Sequence, residues 1–206
     1  MILYLFGGGG PNNSQEQWEH IFNVIDRIKP SQLLFIPFAS RTDKHAATSY
    51  KLLTTSLKSV DVLNAMEKTG LLKANNPLIF VLGGRDHVGL IRKIKSNKIL
   101  EHLIRNCKYY IGESAGSMVV GSFQRMGQPP NSPLIKGLGL LPDTIIEPHY
   151  TERNRHVLLP EEMKRGNIKY GIGLDEATAI CINIKEYPRK WERIGEGTVK
   201  CICRTT

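Results

Sequence analysis

Short apolar runs alternate with stretches of helical periodicity in the first half of this chain, and that alternation most constrains its fold. The sequence predicts five buried strands, at residues 2–6, 33–37, 60–63, 78–82 and about 108–111. It predicts helices that begin at Ser14, cover about 44–58, and contain Val88, Ile91 and Ile94. Continuous apolar strands joined by helices are typical of a mainly parallel sheet covered on both faces. The expected fold class is therefore α/β, a three-layer arrangement with helices on both faces of the sheet.

The later part of the chain departs from this alternation. A loop with prolines and a glycine, at 127–133, follows Met126, and later strands are predicted at 144–147, 179–184 and 199–203. The chain has 206 residues, of which 41% are hydrophobic, and this is enough for one well-buried domain but short for two. Because the sequence contains no repeat or linker, we expect residues 1–206 to form a single domain.

Composition and charge argue against several classes of function. The formal net charge is +9, but the lysines and arginines are dispersed and lack the aromatic interleaving typical of a nucleic-acid surface. The four cysteines form no C-x-x-C pair, so we expect reduced thiols, no metal site and no cofactor. The apolar N-terminal run ends at Phe6, which is too short for a signal peptide or a membrane span. We expect a cytoplasmic enzyme that binds neither nucleic acid nor membrane.

Four glycines, at residues 7–10, follow the first predicted strand. Glycine-rich loops cradle phosphates in some folds, but neither G-x-x-x-x-G-K-[ST] nor G-x-G-x-x-G with its acidic partner occurs here. The sequence therefore favours a tight turn from strand to helix over a nucleotide site.

The sequence Gly-Glu-Ser-Ala-Gly at 112–116 has the G-x-S-x-G spacing of a nucleophile elbow, and it follows the apolar run at 109–111. At such an elbow a strand turns sharply into a helix, and small flanking residues leave the serine accessible in a strained conformation. Ser114 is therefore the candidate nucleophile.

A serine nucleophile needs a base, and four of the six histidines in this chain precede the elbow. In an ordinary α/β-hydrolase an acid lies between the serine and the histidine, but here the acids between Ser114 and His149 crowd against the histidine. An order of serine, His149 and a later carboxylate fits better. Asp175 and Glu176 both follow an apolar segment, and the spacing alone does not choose between them.

Several ordered motifs resemble those of a family of serine peptidases that includes aspartyl dipeptidase (peptidase E) and cyanophycinase. The matching segments extend from the first strand to about residue 184. They are Gly-Gly at 83–84, the elbow, Gly-Leu-Gly-Leu-Leu-Pro at 137–142, Pro-His-Tyr at 148–150 and Gly-Leu-Asp-Glu at 173–176. The resemblance implies a fold related to the class I glutamine amidotransferases.

The resemblance also implies roles for individual residues. It implies a catalytic triad of Ser114, His149 and Glu176. It further implies an oxyanion hole formed by the backbone N–H groups of Gly84 and Ala115.

The same resemblance implies an acidic substrate. Arg153 and Arg155 match arginines that hold the aspartyl carboxylate in cyanophycinase-like members, and a guanidinium binds a carboxylate in a bidentate fork. Arg85, beside the paired glycines, is a third candidate substrate contact. The chain departs from the cyanophycinase pattern at Leu158, where an arginine is expected, and at Arg85-Asp86, where Asn-Gln is expected. The resemblance therefore does not define the substrate.

We therefore expect a serine exopeptidase that hydrolyses short peptides, with an acidic residue in the substrate, through an acyl-enzyme. An esterase or amidase on the same scaffold, or a catalytically inactive binding protein, are the alternatives. The expected partner is a small peptide substrate. The oligomeric state stays open, with a homodimer among the options.

Overall fold

Strands and helices alternate through the first half of the computed structural model, which describes residues 1–10, 12, 14–40, 43–127 and 131–204. The strands are β1 (Ile2–Phe6), β2 (Gln32–Ile36), β3 (Asp61–Asn64), β4 (Leu78–Val81), β5 (Tyr109–Glu113), β6 (Phe123–Arg125), β7 (Leu134–Lys136), β8 (Thr144–Pro148), β9 (Tyr170–Leu174), β10 (Ala179–Asn183), β11 (Glu192–Ile194) and β12 (Val199–Cys203). The helices are α1 (Ser14–Ile28), α2 (Asp43–Ser56), α3 (Lys68–Lys73), α4 (His87–Ser96), α5 (Lys98–Asn106), α6 (Ala115–Met118) and α7 (Leu158–Arg165).

The main sheet has seven strands in the order β3-β2-β4-β5-β1-β10-β11. The first five strands of that order are parallel to one another, whereas β10 runs antiparallel to β1 and β11 runs antiparallel to β10. The predicted α/β class with a mainly parallel sheet is therefore confirmed.

Helices cover both faces of this sheet because side chains alternate between the faces along each buried strand. Leu33 and Phe35 of β2 belong to the apolar cluster that α1 and α2 cover. Leu34 and Ile36 belong to the opposite cluster, which includes apolar side chains of α4 and α5. A strand buried on both faces gives the continuous apolar run that the sequence displays.

A second sheet of three strands, in the order β12-β9-β8, packs on the α4 and α5 side of the main sheet. Within it β8 and β9 are parallel, with Pro148 paired to Leu174. The residues that follow these two strands, His149 and Asp175, therefore leave the second sheet side by side.

The alternation in the sequence does not reveal this second sheet. The predicted strands at 144–147 and 199–203 lie in the second sheet, whereas the predicted strand at 179–184 joins the main sheet as antiparallel β10. The antiparallel pair of β6 and β7 was not predicted. Among the described residues, no helix combines the length and the apolar character needed to span a membrane.

Strand order brings three chain segments to one edge of the main sheet. Because β5 lies between β1 and β4, and all three are parallel, their carboxyl ends meet. The glycines at 7–10 follow β1, the glycines at 83–84 follow β4, and Ser114 follows β5. Open α/β sheets bind their ligands at this edge.

Candidate active site

Ser114 lies in a strained turn between β5 and the short helix α6. Its backbone has φ 47° and ψ −103°, a combination that residues with a side chain rarely adopt. The Ser114 N–H donates to the Phe6 carbonyl of β1 at 3.0 Å, which ties the turn to the neighbouring strand. A Cβ atom on Gly112 would lie 2.6 Å from the Gly116 carbonyl oxygen, so this turn requires glycine there. The turn therefore has the strained backbone that the G-x-S-x-G spacing predicts.

Hydrogen bonds link Ser114 to His149 and His149 to Glu176. Ser114 Oγ lies 3.1 Å from His149 Nε2, and His149 Nδ1 lies 2.7 Å from Glu176 Oε1. His149 is 5% exposed, and its backbone N–H donates to the Gly7 carbonyl at 3.0 Å. The structure thus brings together the three residues of the expected triad.

Asp175, the other candidate carboxylate, has a different environment. Its Oδ1 accepts the Thr151 N–H at 2.9 Å and its Oδ2 accepts the Thr198 N–H at 2.8 Å. These two bonds hold the segment after β8 against the segment before β12. Of the two carboxylates that the sequence leaves open, Glu176 is the one in contact with His149.

The glycines at 7–10 pack directly against these residues. A Cβ atom on Gly8 would lie 2.6 Å from His149 Cε1 and 3.0 Å from Ser114 Cβ. A Cβ atom on Gly10 would overlap the carboxylate of Glu176. The loop is thus a turn from strand to helix, as expected, and it also encloses the three residues. This second role was not predicted, although four consecutive glycines in the sequence indicate a close approach of some kind.

Two backbone N–H groups near Ser114 fit the expected oxyanion hole. Among the described residues, neither the Gly84 N–H nor the Ala115 N–H donates a hydrogen bond within the chain. Gly84 packs so tightly on the 39–40 segment that a Cβ atom would lie 2.8 Å from the Ser40 nitrogen. Asp86, which follows this loop, accepts the Gly89 N–H at 2.9 Å and so caps α4.

A cavity of about 680 Å³ opens in front of Ser114. Arg85 and Arg153 lie along its wall. Its other lining residues are Gly9, His45, Gly83, Gly84, His87, Glu113, Met126, Gly127 and His149. No group of histidine, cysteine or acidic side chains within the described part of the chain is arranged to hold a metal ion.

Arg153 is exposed, whereas Arg155 is buried. It is 4% exposed, and its Nη1 contacts Glu147 Oε2 at 2.6 Å and the Pro148 carbonyl at 2.8 Å. Nη1 of the guanidinium is therefore occupied beneath the strand end that carries His149. Arg155 also borders a small pocket that Ser114 and Arg153 line, so its expected role beside Arg153 stays a prediction. The sequence does not predict that Arg155 is buried, because its partner Glu147 lies on a different element.

A buried charged cluster supports the same strand end. Arg125 Nε lies 3.0 Å from Glu147 Oε1 and 3.6 Å from Glu162 Oε1. Burial, with a further contribution from the Glu147 charge, raises the pKa of Glu162 to about 8. His87 Nε2 lies 2.9 Å from the Arg125 carbonyl, so His87 links the start of α4 to this cluster. The sequence does not mark Arg125, Glu147 or Glu162 as functional.

Burial, followed by the positive charges of Arg153 and Arg155, lowers the pKa of His149 to about 3. The imidazole is therefore neutral at neutral pH. A neutral imidazole whose Nδ1–H donates to Glu176 has Nε2 free to accept a proton from Ser114.

Similarity to known proteins agrees with this geometry. A family model for peptidase family S51 matches residues 3–187. The chain belongs to peptidase family S51. S51 is a family of serine peptidases, and the membership confirms the family that the ordered motifs resemble.

Two curated S51 relatives are cyanophycinases. The one from Geminocystis herdmanii is 31% identical, over 60% of this chain and 48% of the relative. The one from Trichormus variabilis is 30% identical, over 60% of this chain and 44% of the relative. The matched region is less than half the length of these two relatives.

Two solved structures share the fold of this chain. A peptidase from an acI-B1 Actinobacterium aligns over 98% of this chain and 96% of its own, with a TM-score of 0.65 and 18% identity. A candidate peptidase E from Listeria monocytogenes aligns over 95% of this chain and 98% of its own, with a TM-score of 0.63 and 20% identity. At these identities the likeness concerns the fold alone.

Proposed function

We propose that this chain is a serine peptidase that hydrolyses short peptides through an acyl-enzyme formed on Ser114. The observation that carries the proposal is the hydrogen-bonded series from Ser114 Oγ through His149 to Glu176. Family membership supports it independently, because S51 members are serine peptidases. The family resemblance also leads us to propose kinship with the class I glutamine amidotransferase fold.

In the proposed mechanism, Ser114 Oγ attacks the scissile carbonyl carbon while its proton passes to His149 Nε2. Glu176 accepts a hydrogen bond from Nδ1–H, which keeps Nε2 as the acceptor and stabilises the imidazolium that forms. The N–H groups of Gly84 and Ala115 stabilise the oxyanion, and each such donor contributes about 3 to 4 kcal/mol in comparable sites.

His149 then gives its proton to the leaving amine, and the carbon–nitrogen bond breaks to leave the acyl-enzyme. A water molecule, deprotonated by His149, attacks the ester carbon of the acyl-enzyme. The acid product leaves, and the proton returns to Ser114 Oγ. Burial lowers the pKa of His149, so the imidazole is unprotonated before each attack.

We propose that the substrate carries an acidic residue. Arg85 and Arg153 line the cavity and are exposed, so their guanidinium groups can reach a bound carboxylate. We assign Arg155 a smaller part, because its side chain is buried and its Nη1 is bonded to Glu147. The relatives named as cyanophycinases support the choice of class, since they are about 30% identical to this chain over the matched residues.

A comparison of Ser114→Ala with the parent enzyme tests the proposal. A library of Asp-Xaa, Glu-Xaa and β-aspartyl dipeptides measures turnover, and a fluorophosphonate probe measures nucleophile reactivity. We expect Ser114→Ala to lose both. Ser96→Ala is the matched control, because Ser96 is an exposed serine at the end of α4 and should leave both readouts unchanged.

Full turnover by Ser114→Ala would contradict the mechanism. Acyl esters that react while all peptides resist would indicate an esterase. A parent enzyme that neither turns over nor takes up the probe would indicate a binding protein that retains the fold.

A further inference from the structure

The side chain of Glu113 joins the elbow to the loop at 83–84. Its Oε1 accepts from Gln17 Nε2 of α1 at 2.9 Å, and its Oε2 accepts the Gly83 N–H at 3.0 Å. Gln17 is 1% exposed, so this contact is shielded from water. The G-x-S-x-G spacing leaves the residue before the serine unspecified, and neither the triad nor the arginines account for a glutamate here.

The Glu113 bond restrains the neighbouring Gly84 N–H. Peptide units are planar, so only the φ and ψ angles of Gly83 separate the anchored Gly83 N–H from the Gly84 N–H. The loop also passes close to the elbow, because a Cβ atom on Gly83 would lie 3.1 Å from Glu113 Cδ and 3.2 Å from Ser114 Cβ. A short, anchored connection of this kind fixes the direction of the next N–H group relative to the serine.

Glu113 holds the loop at 83–84 through hydrogen bonds rather than through its charge. Among the described residues, no cation pairs with Glu113 in an ion pair, and its oxygens bind two neutral N–H donors. A negative charge close to a developing oxyanion is unfavourable by itself. Holding the oxyanion donor in place is the benefit that offsets this cost.

We propose that Glu113 is a positioning residue that aligns the Gly84 N–H with the oxyanion, with Gln17 holding the carboxylate from behind. This inference rests on the proposed serine peptidase function. It predicts that loss of the Glu113 bonds damages the transition state and leaves substrate binding almost unchanged, because an oxyanion exists only after attack.

Three substitutions of Glu113 separate hydrogen bonding from charge. Glu113→Ala removes both bonds, and Glu113→Asp keeps the charge on a side chain one methylene too short for both partners. Glu113→Gln keeps an oxygen for the Gly83 N–H. Its amide N–H₂ can donate to Gln17 Oε1, a buried atom that has no partner among the described residues, once the Gln17 amide turns over.

We expect kcat to fall about 10- to 100-fold in Glu113→Ala and Glu113→Asp, with KM within about twofold of the parent value. We expect Glu113→Gln to recover most of kcat. Gln15→Ala is the matched control on the same helix, because the exposed Gln15 side chain donates to the exposed Glu19. A thermal melt of each variant identifies any that fails to fold. If either Glu113→Ala or Glu113→Asp does not fold, the other variant provides the test.

Parent-like kcat in Glu113→Ala or Glu113→Asp would overturn the inference. So would an effect confined to KM, or a Glu113→Gln variant as impaired as Glu113→Ala, since these results indicate that the charge contacts substrate directly. Failure of the proposed function has a different signature, namely a parent enzyme without turnover or with full turnover after Ser114→Ala, and the inference would fall with it.

Discussion

Replacing Gly8 with alanine should impair both catalysis and folding, for two separable reasons. Gly8 has φ +104°, and a Cβ atom there would lie 2.6 Å from His149 Cε1 and 2.7 Å from His149 Nε2. Ordinary contact begins near 3.4 Å, so the imidazole would have to retreat by about 0.8 Å. Nε2 is the atom that lies 3.1 Å from Ser114 Oγ, and the displacement would disrupt that hydrogen bond.

Two separate effects give the expected magnitudes. A misplacement of about 1 Å in a reacting group lowers the rate about 100-fold, so we expect kcat/KM of Gly8→Ala to fall by about that factor. The unfavourable φ lowers the free energy of unfolding by about 1 to 3 kcal/mol, which corresponds to a Tm lower by about 2 to 12 °C. Peptide hydrolysis and calorimetry measure the two quantities.

Gly139→Ala is the matched control for the backbone effect. Gly139 also has a positive φ, +67°, but a Cβ atom there would meet nothing within 4 Å. We expect a lower Tm with kcat/KM unchanged. Two results would contradict this reasoning: an equal fall of kcat/KM in Gly8→Ala and Gly139→Ala, or a parent value in Gly8→Ala. Either result would mean that contact with His149 does not explain the need for glycine at residue 8.

Two further substitutions probe the groups around His149. Removing the positive charge with Arg153→Gln should raise the pKa of His149. Because the base must be neutral to act, the acid limb of the kcat/KM profile should then move to higher pH. A move to lower pH would refute the assignment of His149 as the base. Glu176→Gln should lower kcat about 10³- to 10⁴-fold, since an amide that donates to Nδ1 stabilises the wrong imidazole tautomer. A larger loss in Asp175→Asn would instead favour Asp175 as the partner of His149.

Much of the fold follows from local pattern. The apolar runs of β1, β2, β4 and β5 are long enough and continuous enough to identify buried parallel strands without any tertiary information. The second sheet is less visible, because β9 contains two glycines that interrupt its apolar character. Its pairing with β8 and β12 depends on contacts between segments that lie far apart in sequence.

Part of the candidate site also follows from local sequence pattern, and part depends on tertiary contacts. The G-x-S-x-G spacing predicts the turn around Ser114 because the strain and the close Gly112 to Gly116 approach are both local. Arg153 and Arg155 are only two residues apart, yet one lines the cavity and the other is buried on Glu147. The choice between an exposed and a buried arginine depends on where β8 places that glutamate.

The sequence by itself determined the order of chemistry along the chain: a serine at an elbow, then a histidine, then an acidic pair. Only the tertiary structure decided which acid meets the histidine. Asp175 and Glu176 are neighbours with nearly the same chemistry, but the first binds two backbone N–H groups and the second lies 2.7 Å from His149. The reason is that side-chain direction at the end of a strand depends on the segments packed against it. Here those segments are the glycine loop after β1, the elbow after β5, and the turn after β8.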